Sequence, residues 1–188
     1  MIGVLALQGD FLKHKNILDQ IGVESLFVKN KNDLLKTKAL IIPGGESTTL
    51  SHLIDIFSMR EVICKYAKSN SVFGTCAGMI MLSTSNLNDR VRTLNIMDFS
   101  VSRNSWGSQR DSFEEKVEFK NFNLGVLNAV FIRGPKVVDT GESIKRVDCY
   151  KDEIVLLEDE KHLACSFHPE IENDLSLHKY FLEKCCYE

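Results

Sequence analysis

The chain has 188 residues, enough to bury a full core in one domain without disulfide or metal staples. With 44% hydrophobic and 26% charged residues, it has the composition of an ordinary soluble globular protein. A net charge of −3 leaves no basic excess to track nucleic-acid phosphates or an anionic membrane, so neither is expected as a partner. The opening apolar run, residues 2–7, stops at Gln8-Gly9-Asp10, lacks a basic leader and is too short for a signal segment. No later run has the length that crosses a bilayer, and the expected location is cytoplasmic.

In chain order, residues 2–7, 24–29, 38–42 and 71–75 read as short, nearly continuous apolar strands, the pattern of a parallel sheet covered on both faces. Between the first two strands, Phe11, Leu12, Ile17, Leu18 and Ile21 fit a helix that buries one side. Leu50, Leu53, Ile54 and Phe57 recur at helical spacing after the third, and Ala77 to Leu82 read as a helix after the fourth. From about 96 the chain turns β-rich, with segments 96–102, 115–119, 126–132, 153–157 and 162–167, before a last helix over 175–186. The β-α-β-α order predicts a doubly wound α/β sheet with its active site at the carboxyl ends of the strands. Without an internal repeat or a Pro/Gly/Ser linker, residues 1–188 read as a single domain.

The six cysteines contain no Cys-x-x-Cys pair, so no zinc site is expected. Cys64, Cys149 and Cys165 read as small buried hydrophobes, and Cys185 and Cys186 as partly exposed. Cys76 alone stands where chemistry would call for it. Gly74-Thr75-Cys76-Ala77-Gly78 is a Gly-x-Cys-x-Gly run between a strand and a helix, the cysteine counterpart of a nucleophile elbow. Such a turn projects the sulfur into the crevice near a helix N-terminus, whose dipole favours thiolate. The Ala77 N–H is then free to face an oxyanion. The plainer reading is a buried cysteine in a glycine-rich bend.

A base is expected in Ser166-Phe167-His168-Pro169-Glu170, at the carboxyl end of an apolar strand. There His168 can share the crevice with Cys76, and Glu170, past the stiff Pro169, can orient the imidazole. The alternative is a solvated surface loop. His14, His52, His162 and His178 lack comparable context and read as structural or surface residues. Pro43-Gly44-Gly45-Glu46-Ser47-Thr48-Thr49 ends the third strand; its glycines free the backbone to aim N–H groups into the crevice, and Ser47 or Thr48 can cap the next helix.

Together these runs resemble the class I, triad-type glutamine amidotransferases, and within them the glutaminase subunit of pyridoxal phosphate synthase. The resemblance extends through Gly3-Val4-Leu5-Ala6-Leu7-Gln8-Gly9, Arg103-Asn104-Ser105-Trp106-Gly107-Ser108-Gln109, Asp111-Ser112-Phe113-Glu114 and Phe131-Ile132-Arg133-Gly134-Pro135. Departures fall at Ser108, at Gly134 and in the short 86–93 segment. The resemblance implies a flavodoxin-like three-layer α/β sandwich with a mostly parallel central sheet. It implies Cys76 as nucleophile, His168 as general base and acid, and Glu170 as its orienter. It also implies an oxyanion hole from the Gly45 and Ala77 amides, and glutamine held by Gly45, Glu46, Ser47, Arg103, Ile132 and Arg133. The implied reaction hydrolyses L-glutamine to glutamate and ammonia through a thioester, without metal or cofactor, and passes the ammonia to a synthase subunit. The rival readings are another cysteine-elbow enzyme, such as a γ-glutamyl hydrolase or a DJ-1-like protein, and a non-catalytic regulatory subunit.

Overall fold

The computed structural model describes residues 1–86, 90–102, 112–172 and 174–186, apart from the Cys186 side chain. The chain runs β1 (Ile2–Leu5), α1 (Phe11–Ile21), β2 (Ser25–Val28), α2 (Lys31–Leu34), β3 (Ala39–Ile42), α3 (Ser47–Ile56), α4 (Arg60–Ala67), β4 (Ser71–Thr75) and α5 (Ala77–Leu82). It continues through β5 (Ser85–Asn86), β6 (Phe99–Ser102), β7 (Ser112–Phe119), β8 (Gly125–Ile132), β9 (Lys136–Thr140), β10 (Arg146–Tyr150), β11 (Glu153–Glu158), β12 (Leu163–Cys165) and α6 (Ser176–Cys186).

Seven strands form the central sheet in the order β10-β11-β12-β4-β3-β1-β2. The five from β12 to β2 are parallel, and β11 and β10 add an antiparallel edge. Successive side chains of a strand point to opposite faces, so each buried apolar run feeds two cores. Leu40, Ile42 and Val72 pack on one face with Leu50 and Ile54 of α3, Ile63 of α4 and the apolar residues of α5. Ala39, Ile41 and Phe73 pack on the other with Leu18 of α1 and Leu177 and Phe181 of α6. The hairpin β7–β8 extends that second core through Phe119 and Phe131. The architecture is the expected three-layer α/β sandwich with a mostly parallel sheet.

The structure adds α2, α4, β5, β9 and β10, which the apolar pattern did not announce. Strands β9 and β10 mix charged and apolar residues and stand at sheet edges, where only one side chain in two needs cover. Helix α4 carries Ile63, Tyr66 and Ala67 at helical spacing, over a span of only eight residues. β7 begins at Ser112, ahead of the expected 115, because its outward residues are polar while the ladder with β8 continues. Two cysteines depart from their reading as buried: Cys64 is only half-buried, and Cys149 is exposed, on β10 where the register with β11 shifts. Cys165 is buried and Cys185 half-buried.

Candidate active site

Strand register decides which loops meet. β12 runs beside β4 with Cys165 opposite Thr75, and β3 runs beside β4 with Ile42 opposite Gly74. The segments that follow these three parallel strands therefore leave the sheet at one edge, bringing Gly44, Cys76 and His168 together.

Cys76 forms the turn between β4 and α5 with φ +47° and ψ −102°. A non-glycine residue held there stores strain of about 1–3 kcal/mol, which persists only where the surroundings fix it. Here the Cys76 N–H donates to the Cys165 carbonyl at 2.8 Å, and its own carbonyl accepts from Ile80 in the first turn of α5. Gly78 lets that helix start directly against β3, since a side chain there would collide with the Ile42 carbonyl.

His168 donates its backbone N–H to the Val130 carbonyl at 2.8 Å, tying the segment after β12 to β8. Its Nδ1 lies 2.7 Å from Glu170 Oε1, and its ring is close enough to the Cys76 sulfur for its pKa to be raised by it. The sulfur also lies 3.8 Å from the Ile132 carbonyl oxygen. All three side chains are buried. Burial works against an imidazolium, but the hydrogen bonds to Cys76 and Glu170 and their charges outweigh it and push His168 up to about 10. Burial likewise opposes the Glu170 carboxylate, and the imidazoles of His14 and His168 hold it down to about 2. A thiol, an imidazole and a carboxylate grouped in this way are the side chains that a nucleophile, a base and an orienter require.

Above the sulfur opens a pocket of about 330 Å³. It is lined by Gly45, Glu46, Ser47, Cys76, Ala77, Ile132, Arg133 and His168, all singled out from the sequence, and by Asp10 and Ile80, which were not. Arg133 is exposed, just past the end of β8, with φ +50°, a second non-glycine residue of unusual backbone lining the pocket with Cys76. Arg103 lies outside the described residues, as do Ser108 and the rest of the 103–109 motif, and Asp111. The cap of α3 differs from expectation: Glu46, not Ser47 or Thr48, accepts the N–H groups of Thr48 and Thr49, at 3.0 and 2.6 Å. Although burial opposes it, those bonds and the Thr49 hydroxyl hold the Glu46 carboxyl down to about 2. A carboxylate reaches further than a hydroxyl, so the residue before the serine closes the cap. Gly44 packs edge-on against His168, and its N–H donates to Thr75 Oγ1 at 2.9 Å.

Asp10, His168 and Glu170 offer ligand atoms within 4.8 Å of one another, but the 2.7 Å His168–Glu170 spacing is that of a hydrogen-bonded pair. Of the histidines set apart from the chemistry, His52 is exposed and His162 accepts the Val72 N–H at 3.1 Å. His14 and His178 are fully buried, and His14 lies directly behind Glu170. Their helical spacing to Ile17, Leu18 and Phe181 could have placed them on the inward faces of α1 and α6.

The sequence model of the SNO glutamine amidotransferase family matches residues 4–187. The chain is 44% identical over 182 residues to a pyridoxal 5'-phosphate synthase subunit PdxT from Thermosipho africanus, covering 96% of each. It is also 44% identical over 184 residues to the PdxT of Pseudothermotoga lettingae, covering 97% of this chain and 94% of that one. A crystal structure of a glutamine amidotransferase superposes with a TM-score of 0.91 at 41% identity, covering 98% of both chains. PurLQS from Thermotoga maritima shares the fold at a TM-score of 0.60 and 15% identity. With a buried cysteine elbow, its imidazole and carboxylate, and similarity along nearly the whole length, the chain belongs to the SNO glutamine amidotransferase family.

Proposed function

We propose that this chain, one domain over residues 1–188, is the glutaminase subunit of a cytoplasmic pyridoxal 5'-phosphate synthase, hydrolysing L-glutamine and handing ammonia to the synthase subunit. The observation that carries this reading is that buried Cys76 and His168 line one pocket, with His168 Nδ1 2.7 Å from the buried Glu170 carboxylate. The full-length similarity to PdxT relatives supports the pathway. An intact triad speaks against a purely regulatory subunit. No helix among the described residues is long and apolar enough to cross a membrane.

Cys76 attacks the side-chain amide carbon of glutamine as a thiolate, and negative charge develops on the amide oxygen. The Gly45 and Ala77 N–H groups are the donors assigned to that oxygen; each such donor typically lowers the barrier by about 2.7–4 kcal/mol. His168 begins as an imidazolium because the sulfur's charge and Glu170 hold its proton. When the sulfur becomes part of a carbon–sulfur bond, that charge is gone, and the proton passes to the leaving nitrogen. Ammonia departs and leaves a thioester. Neutral His168 then takes a proton from water, which attacks the thioester and releases glutamate. Arg133, and Arg103 by family resemblance, are assigned to the substrate's α-carboxylate, which a guanidinium can pair through two hydrogen bonds. The test is glutamate release by Cys76→Ala, His168→Asn and Glu170→Gln. The first two are expected to be inactive and the third to keep residual turnover, since it still positions the ring. Normal turnover in Cys76→Ala removes the reading.

A further inference from the structure

Behind the triad lies a second row of buried polar groups that the reaction above does not use. Glu170 spends Oε1 on His168, while its Oε2, wholly buried, makes no hydrogen bond among the described residues. The group facing Oε2 is His14 Nε2, at 3.5 Å, which also lies 3.2 Å from Thr75 Oγ1. On its far side, His14 Nδ1 is 2.9 Å from His178 Nε2, and Phe73 packs edge-on against both rings. An ionised carboxylate only accepts, so an N–H is the group that faces Glu170 Oε2 favourably. We place the His14 N–H on Nε2, where it faces both Glu170 Oε2 and Thr75 Oγ1, and its Nδ1 then accepts from His178 Nε2–H. His178 Nδ1 is then left as a bare acceptor, in keeping with its lack of a partner among the described residues. The charged groups around His14 are Glu170 and His168 from the segment after β12, Asp10 and Lys13 from its own helix, and His178 from α6.

We propose that His14, braced by His178 and Thr75, is a positioning residue for glutamine hydrolysis: its Nε2–H sets the Glu170 carboxylate and keeps it ionised against His168. The proposal rests on the triad assignment above. A buried carboxylate with one oxygen unpaired costs free energy, and the relief open to it is to rotate or take up a proton. Either ends its hold on the imidazolium. The His14 dipole opposes both. Burial pushes His14 below its ordinary range despite Glu170, so it serves as a neutral donor, not as a second acid.

The experiment measures kcat and KM for glutamine across pH, with a PdxT partner synthase subunit present, in His14→Leu, His14→Gln and His178→Phe. His14→Leu removes the N–H; kcat is expected to fall roughly ten- to a hundredfold, the usual cost of losing a group that orients a functional ligand, with KM unchanged. Its acid limb is expected to move to higher pH, because Glu170 loses the group that favours its charge. His14→Gln returns an N–H near the same point and is expected to recover most of kcat and restore the limb. Should His14→Leu fail to fold, His178→Phe applies the same test, since it fills its space and leaves His14 to Thr75. A shifted acid limb there supports the proposal and an unmoved one overturns it. Wild-type kcat and pH profile in His14→Leu, or a loss that Gln does not recover, also overturns it. Cys76→Ala and Glu170→Gln run alongside; if these behave as wild type, the triad assignment is what has failed.

Discussion

Gly44→Ala isolates the role of packing against the triad. The backbone at Gly44 is not left-handed, so alanine is compatible with its conformation, and the added methyl acts only through what it touches. It would stand 3.0 Å from His168 Nδ1, 3.3 Å from Cys76 Cβ and nearer still to His168 Cε1. Non-bonded carbon contacts settle at about 3.5–4.0 Å, so the ring has to retreat by about 1 Å. Glu170 and the Val130 carbonyl tie the ring and its backbone in place, at 2.7 and 2.8 Å. The displacement therefore changes the ring's placement against both Glu170 and Cys76. A misplacement of about 1 Å at reacting groups is worth about a hundredfold in rate. Gly44→Ala is accordingly expected to lose about two orders of magnitude in kcat while KM for glutamine moves little. Steady-state glutaminase kinetics with thermal denaturation as the control decide it. A variant that folds, melts near the parent and turns over at the parent rate would refute the reasoning.

Three further outcomes follow from the geometry. Glu46→Ala removes the α3 cap at about 1 kcal/mol, and Tm is expected to fall by about 2–4 °C in a scan at neutral pH. Stability should depend on pH through the buried pair. Glu170, depressed to about 2, contributes fully above its unfolded value of 4.5 and loses that contribution as pH falls through 2. His168, raised to about 10, contributes fully below 6.5 and loses it as pH rises through 10. Tm against pH is thus expected to decline on both sides of the window from 4.5 to 6.5, and Glu170→Gln to flatten both limbs; unchanged limbs in that variant refute the assignment. Finally, if the synthase subunit favours the competent arrangement of the Gly44–Gly45 backbone, it raises kcat. Glutamine must then tighten the association by the same coupling. Calorimetric titration of Cys76→Ala with synthase, with and without glutamine, checks this; equal affinities count against it.

Much of the molecule could be read from local pattern. Runs such as Ala39–Ile42 and Ser71–Thr75 are built of apolar or small residues and are buried at every position, because a parallel strand has no solvent face. That alone predicted the layered sheet. The elbow was legible at Cys76 because a tight strand-to-helix turn demands small neighbours, and those neighbours are glycines within the motif. His168 and Glu170 were legible through their place after a strand and through the family resemblance.

What the pattern could not carry was set by contacts distant in sequence. The edge strands β9 and β10 are amphipathic and short, so their strand character comes from the partners they pair with. The choice of Glu46 as the cap depended on the reach of a carboxylate over the start of α3. The row from Glu170 through His14 to His178 spans residues 14 to 178, joined by 3.5 and 2.9 Å contacts that exist only once α1 and α6 pack on the same face of the sheet. Local sequence determines which residues favour a strand, a turn or a helix face. Which buried polar groups must satisfy one another is decided only when the tertiary fold removes them from water together.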